Sequence, residues 1–179
     1  KAIYKQLASS SIKTKSAIFV LLQTLVKTLP NNFYNDLEGL FDLSLKSLDD
    51  KNQTLKLDVL YFIRLAIENH QYQIMESPNI VKLIIPKIIP WVNEDWYKII
   101  AEALRLIGSI IFVIRPEESI QQKVVDIELK KTTYLLYNSI VPRLEALDID
   151  QEIKDCAIQV SGQLVAYLGD HLDNVDTEK

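Results

Sequence analysis

The sequence predicts an all-α fold, a HEAT/armadillo-like α-solenoid of stacked antiparallel helix pairs, and three observations predict it. Apolar or small residues recur at helical steps of three and four behind four lysines. Lys15 leads Ile18, Leu21, Leu25 and Leu29; Lys56 leads Val59, Phe62 and Ala66; Lys98 leads Ala101, Leu104, Gly108 and Phe112; Lys154 leads Ala157, Val160, Leu164 and Leu168. The lysines stand 41, 42 and 56 positions apart. Pro86 precedes Lys98 by twelve positions, and Pro142 precedes Lys154 by twelve. A period near forty, two helices to the unit, marks a solenoid in which each unit buries its apolar side only against its neighbours.

Each element follows from local chemistry. Residues 1–8 read as the tail of a helix, and the chain as an internal piece of a longer protein. Ser9, Ser10 and Ser11 form a turn whose serine caps the next helix by accepting its orphan N–H groups. The first unit, about 11–50, pairs helices at 12–28 and 34–48 across Pro30, which cannot continue a helical ladder. The second, 51–94, has a first helix ending near Asn69, an irregular stretch at His70–Asn79 and a helix at 80–92. Pro86 and Pro90 lie inside that helix and predict a kink or a late start. The third unit, 95–147, opens with Asp95–Pro116, continues through a polar loop at Glu117–Lys123 and closes with a helix at 125–146. An insertion of about fourteen residues there accounts for the 56-residue step. The fourth, 148–179, is capped by Asp148 or Asp150 and ends its helix at Leu168, with Gly169 as the C′ residue.

Composition narrows the function classes. The chain has 179 residues, 48% hydrophobic and 25% charged, with a net charge of −4, a globular rather than a disordered balance. The acidic balance argues against nucleic acid, which selects a basic face. The most apolar run, Leu106–Ile114, is nine residues, where a membrane span needs about 20. One cysteine, Cys156, rules out an internal disulfide and fits a reducing compartment; the expected location is cytoplasmic and nuclear.

No catalytic constellation is present in the pattern. The glycines are scattered, so no phosphate loop forms, and no cofactor is expected. His70 and His171, with one cysteine, give no metal-ligand spacing; both read as polar helix-end residues. Cys156 reads as a small, partly buried filler rather than a nucleophile. Glu117 and Glu118, like Asp148 and Asp150, read as solvated turns or caps. Trp91 and Trp96 flank a turn and either cover the end of the core or anchor a partner.

Several stretches carry a resemblance. DWYKIIAEALRL at 95–106 and DIDQEIKDCAIQVSGQLVAYLGD at 148–170, with LKLDVL and KTLP in the same order, are similar to an internal segment of the cullin-associated, neddylation-dissociated family of HEAT-repeat cullin exchange factors. The resemblance implies no catalysis. It implies a solenoid that wraps an unmodified cullin–RING scaffold, helps exchange substrate receptors and excludes modification of the cullin.

A solenoid of this kind grips partners with its second helices. Here these carry Asp36, Glu38, Asp42 and Lys46, then Lys82 and Lys87, then Lys130, Lys131, Arg143 and Glu145. The mixed signs suit a protein rather than a polyanion or a membrane. Another HEAT or armadillo adaptor, such as a transport receptor or phosphatase scaffold, is the alternative. Cut repeats at both ends predict exposed apolar surface and weak self-association.

Overall fold

The computed structural model describes residues 2–9, 11–29, 37–120, 126–147 and 150–172, and among them every regular element is a helix. In chain order these are α1 (Ala2–Ser9), α2 (Ile12–Thr28), α3 (Leu37–Ser47), α4 (Gln53–Asn69), α5 (Gln71–Met75), α6 (Pro78–Ile88), α7 (Tyr97–Ile114), α8 (Glu117–Ile120), α9 (Ile127–Glu145) and α10 (Gln151–Leu168). Short 3-10 turns occupy Ile89–Asn93 and Gly169–His171.

The first helices form a row: α4 packs on α2, α7 on α4 and α10 on α7. The second helices run beside this row, and each rests mainly on the first helix that follows it: α3 on α4, α6 on α7 and α9 on α10. The arrangement is the predicted HEAT-like solenoid. One apolar core runs its length, with Phe19 of α2 against Phe62 of α4, ring centroids 5.8 Å apart, and Phe112 of α7 edge-on to Tyr167 of α10 at 4.6 Å. Helix α7 buries 13 of its 18 residues, because first helices cover two of its faces and α6 a third.

Local chemistry sets the helix starts. Ser11 caps α2 by accepting the Thr14 N–H. Asn52 caps α4 by accepting that of Leu55 at 2.9 Å. Asp126 caps α9, and Asp150 caps α10 by accepting the Glu152 N–H at 2.8 Å. Helix α7 begins only at Tyr97, without a side-chain cap, so Asp95 lies outside it. Pro86 and Pro142 sit in the last turns of α6 and α9. Each removes a backbone donor that the helix would otherwise use, and both helices end three residues later or sooner.

The recurring lysines all act on turns between units. Lys15 Nζ lies 4.0 Å from Asp50. Lys56 lies 4.3 Å from the Trp91 ring centroid and Lys98 5.8 Å from that of Trp96. Lys154 donates to the Leu144 and Ala146 carbonyls at 2.9 and 2.7 Å, binding the open C-terminal end of α9. Trp91 and Trp96 are half-buried against the core under these cations.

Several expectations are corrected. The stretch at 70–79 is not irregular but holds α5 and the start of α6. Glu117–Ile120 is helical rather than loop, and 121–123 of that expected loop lie outside the described residues. The expected apolar face of α2 is misassigned: Leu21 is 50% and Leu29 42% exposed, while Phe19, Leu22 and Val26 are buried. Gly169 is not left-handed, having φ −59°, because the chain tightens into a 3-10 turn there. The Asp148 cap, Pro30 and Ser10 lie outside the described residues.

Candidate partner-binding face

Nine of the ten residues expected to meet a partner fall on described parts of the second helices; Asp36 lies outside them. On α3, Glu38, Asp42 and Lys46 are exposed, and Lys46 Nζ pairs with Asp42 at 2.6 Å, one helical turn away. On α6, Lys82 and Lys87 are exposed. On α9, Lys131 and Glu145 are exposed and Lys130 is half-buried. Lys131 pairs with Glu128 at 2.8 Å, and this holds the Glu128 carboxyl below its usual range. Arg143 does something else. It reaches back to the turn before α7 and donates to Asn93 Oδ1 at 2.8 Å, so its charge braces two units.

Between α6 and α9 lies a groove of about 390 Å³. Val113 and Ile114 of α7 form its floor, and Val81, Ile85, Leu129 and Leu135 its walls. Lys82, Asp126 and Glu128 stand at the rim. An apolar floor with charges of both signs above it accepts an aliphatic or aromatic side chain from a protein.

An ion-pair ladder, which the pattern reading missed, lies on the first helices. Arg64 of α4 donates to Glu102 of α7 at 2.6 Å and pairs with Glu68 at 3.0 Å. Ser109 Oγ donates to Glu68 at 2.8 Å. Arg105 of α7 lies 3.6 Å from Glu102 and pairs with Glu152 of α10 at 2.6 Å. Glu102 is buried; burial pushes its carboxyl up, and Arg64 only partly opposes this. The signal for this ladder was Glu102 itself, one acid inside the apolar run IIAEALRLIG.

Neither histidine is a polar surface residue. His70 is fully buried where α4 ends and α5 begins, and burial lowers its basicity, the reverse of what a helix C-terminus alone would do. His171 is buried, its Nδ1 2.8 Å from Asp170 Oδ1 and 3.0 Å from the Arg115 guanidinium. Arg115, also buried, forks onto both Asp170 oxygens and holds that carboxyl well below its ordinary value. This pair ties the end of α7 to the turn after α10. Cys156 is buried and its thiol pushed up by burial, with Arg105 opposing, the opposite of an activated nucleophile.

Among the described residues no group of three or more histidine, cysteine or acidic side chains is placed to hold a metal, and no helix is long and apolar enough to cross a membrane.

The family model described as CAND1-like, TPR repeats matches residues 31–161. The chain is 33% identical over 174 residues, 96% of its length, to cullin-associated NEDD8-dissociated protein 1 of Arabidopsis thaliana. The chain belongs to the CAND1-like family. The protein of the same name in Drosophila melanogaster is 32% identical over 97% of the chain, and cullin-associated NEDD8-dissociated protein 2 of Mus musculus 28% identical over 92%. The chain spans only 13–14% of the length of these relatives. TPR and HEAT units are both stacked helix pairs; the steps of 41 and 42 in this family member are those of a HEAT unit rather than the roughly 34 of a TPR.

Proposed function

We propose that this chain is a non-catalytic protein-binding segment of a factor that wraps unmodified cullin–RING ligase scaffolds and regulates receptor exchange and cullin neddylation, in cytoplasm and nucleus. The observation that carries the reading is the similarity along almost the whole chain to proteins named for cullin association and NEDD8 dissociation. The second-helix side supports a protein partner. It offers charges of both signs, Lys82 and Lys87 against Glu38 and Glu145, and an apolar groove between α6 and α9. A polyanion would meet acids as often as bases there.

The test is capture of a cullin–RING pair by the full-length protein, with the cullin bare or carrying its ubiquitin-like modification. The bare form is expected to be retained and the modified form lost. A Lys82→Glu/Lys87→Glu variant is expected to weaken capture about tenfold if α6 lines the contact. Equal retention of both cullin forms would contradict the reading.

A further inference from the structure

The second helices do not form a continuous layer. Helix α3 packs against α6, but among the described residues no comparable packing joins α6 to α9. The groove of about 390 Å³ occupies this gap, and its lining comes from α5, α6, α7 and the start of α9, all internal to the chain. Its walls run from Val81 to Pro86 on α6 and from Asp126 to Leu135 on α9, about 8 Å and about 14 Å at the helical rise. That length takes one large side chain and its neighbours rather than the whole apolar face of a partner helix.

Two features of the lining select the side chain. Met75, the one methionine of the chain, lies half-buried in the floor, and a thioether makes favourable contact with an aromatic ring. The second feature is an excess of acceptors. Pro86 has no N–H, so the carbonyl of Lys82, one turn earlier on the same wall, loses its helical donor. Asp126 and Glu128 add carboxylates at the rim, against the single ammonium of Lys82. Lys131 and, from the opposite wall, Lys82 both favour the ionised form of Glu128. An apolar floor under unmatched acceptors calls for an apolar body that carries an N–H, and among side chains this is the indole of tryptophan.

We propose that the groove between α6 and α9 binds a tryptophan from a short basic segment of a partner protein, its ring on Val113, Ile114 and Met75 and its indole N–H on the Lys82 carbonyl. The proposal deepens the reading of this chain as a protein-binding segment and rests on it. A basic residue beside the tryptophan meets Asp126 and Glu128, whose two carboxylates outnumber the Lys82 ammonium. Leu135, 45% exposed on the α9 wall, extends the apolar surface outward under the backbone of that segment. One anchoring side chain buries far less than a standard interface. The groove alone therefore binds weakly, and it gains strength beside the other contacts of a large partner.

The probe is the capped peptide acetyl-Ser-Trp-Lys-Ser-amide. The reporter is the Met75 methyl group in the whole chain, labelled with carbon-13 at methionine and assigned by its loss in Met75→Leu. The Met75 resonance is expected to move with a Kd of about 0.1–1 mM. A peptide with 1-methyltryptophan, which lacks the N–H, is expected to bind about fivefold more weakly, and one with leucine at least about tenfold. Leu135→Lys, at an exposed position and checked for folding by circular dichroism, is expected to weaken binding about tenfold. Glu128→Lys is expected to weaken it too, and to favour a peptide in which glutamate replaces the lysine. A Met75 resonance that stays in place up to about 5 mM peptide, a leucine or 1-methyltryptophan peptide that binds as well as the parent, or full affinity in Leu135→Lys would each overturn the proposal. Cullin capture by the full-length protein is a separate readout. Selective capture of the bare cullin with no peptide binding removes the groove proposal alone, whereas tryptophan-selective binding with equal retention of both cullin forms removes the cullin reading and keeps the groove.

Discussion

At the scale of single residues, burial decides more than position along a helix. His70 and His171 both close repeat helices and look solvated in the sequence, yet both lie inside. The sequence cannot report this for His70, because it lies where α4 passes into α5, a five-residue helix too short to show a period. The consequence is a pH dependence with a definite sign. Burial lowers the His70 pKa from 6.5, so the folded protein binds fewer protons there than the unfolded chain. Stability on this account is full above pH about 6.5 and declines as the pH falls below it toward the folded value. The difference in urea midpoint between pH 7.5 and pH 5.5 is expected to shrink in His70→Gln, whatever that change costs at neutral pH. An unchanged difference would show that another group titrates in this window.

At the scale of elements, the legible features are those written locally. Ser11 and Asp150 announce their helices because a cap bonds to an N–H only two or three residues on. Long helices are legible because periodicity accumulates over several turns. Short α5 and α8 were not, and neither was the choice of face on α2. Its apolar residues occupy two stripes, Phe19, Leu22 and Val26 on one and Val20 and Leu21 on the other, and a pattern alone does not say which has a neighbour. The second-helix charges were legible as surface but not as individuals, since Lys46, Lys131 and Arg143 turn out to be engaged within the chain. The caps give a clean check on the local part of the argument. Asp150→Ala removes an acceptor for an N-terminal N–H of α10 and is expected to cost about 1 kcal/mol, with Asp150→Asn costing a few tenths. Thermal unfolding of the three proteins measures both.

At the scale of the whole molecule, the units are joined by two different forces, and they do different things. Apolar packing along α2, α4, α7 and α10 supplies cohesion. The ladder Arg64–Glu102–Arg105–Glu152 has fixed partners, with donor–acceptor distances of 2.6 Å at both outer links. Its energetic worth is a separate matter. Glu102 is 5% exposed, and desolvation outweighs Arg64 in its titration, so the pair need not stabilise the fold relative to apolar side chains of similar volume. Removing one partner is another case, since it takes the 2.6 Å donor from a buried carboxylate and leaves it Arg105 at 3.6 Å. Arg64→Met is therefore expected to cost about 3 kcal/mol, and the double variant Arg64→Met/Glu102→Leu to be neutral or more stable. If the ladder sets the register between units, the double variant should still lose something. Its urea unfolding is expected to broaden, with a lower m-value, as α4 and α7 cease to unfold together. A double variant destabilised as much as Arg64→Met, with an unchanged m-value, would mean instead that the ion pairs hold the stack together directly.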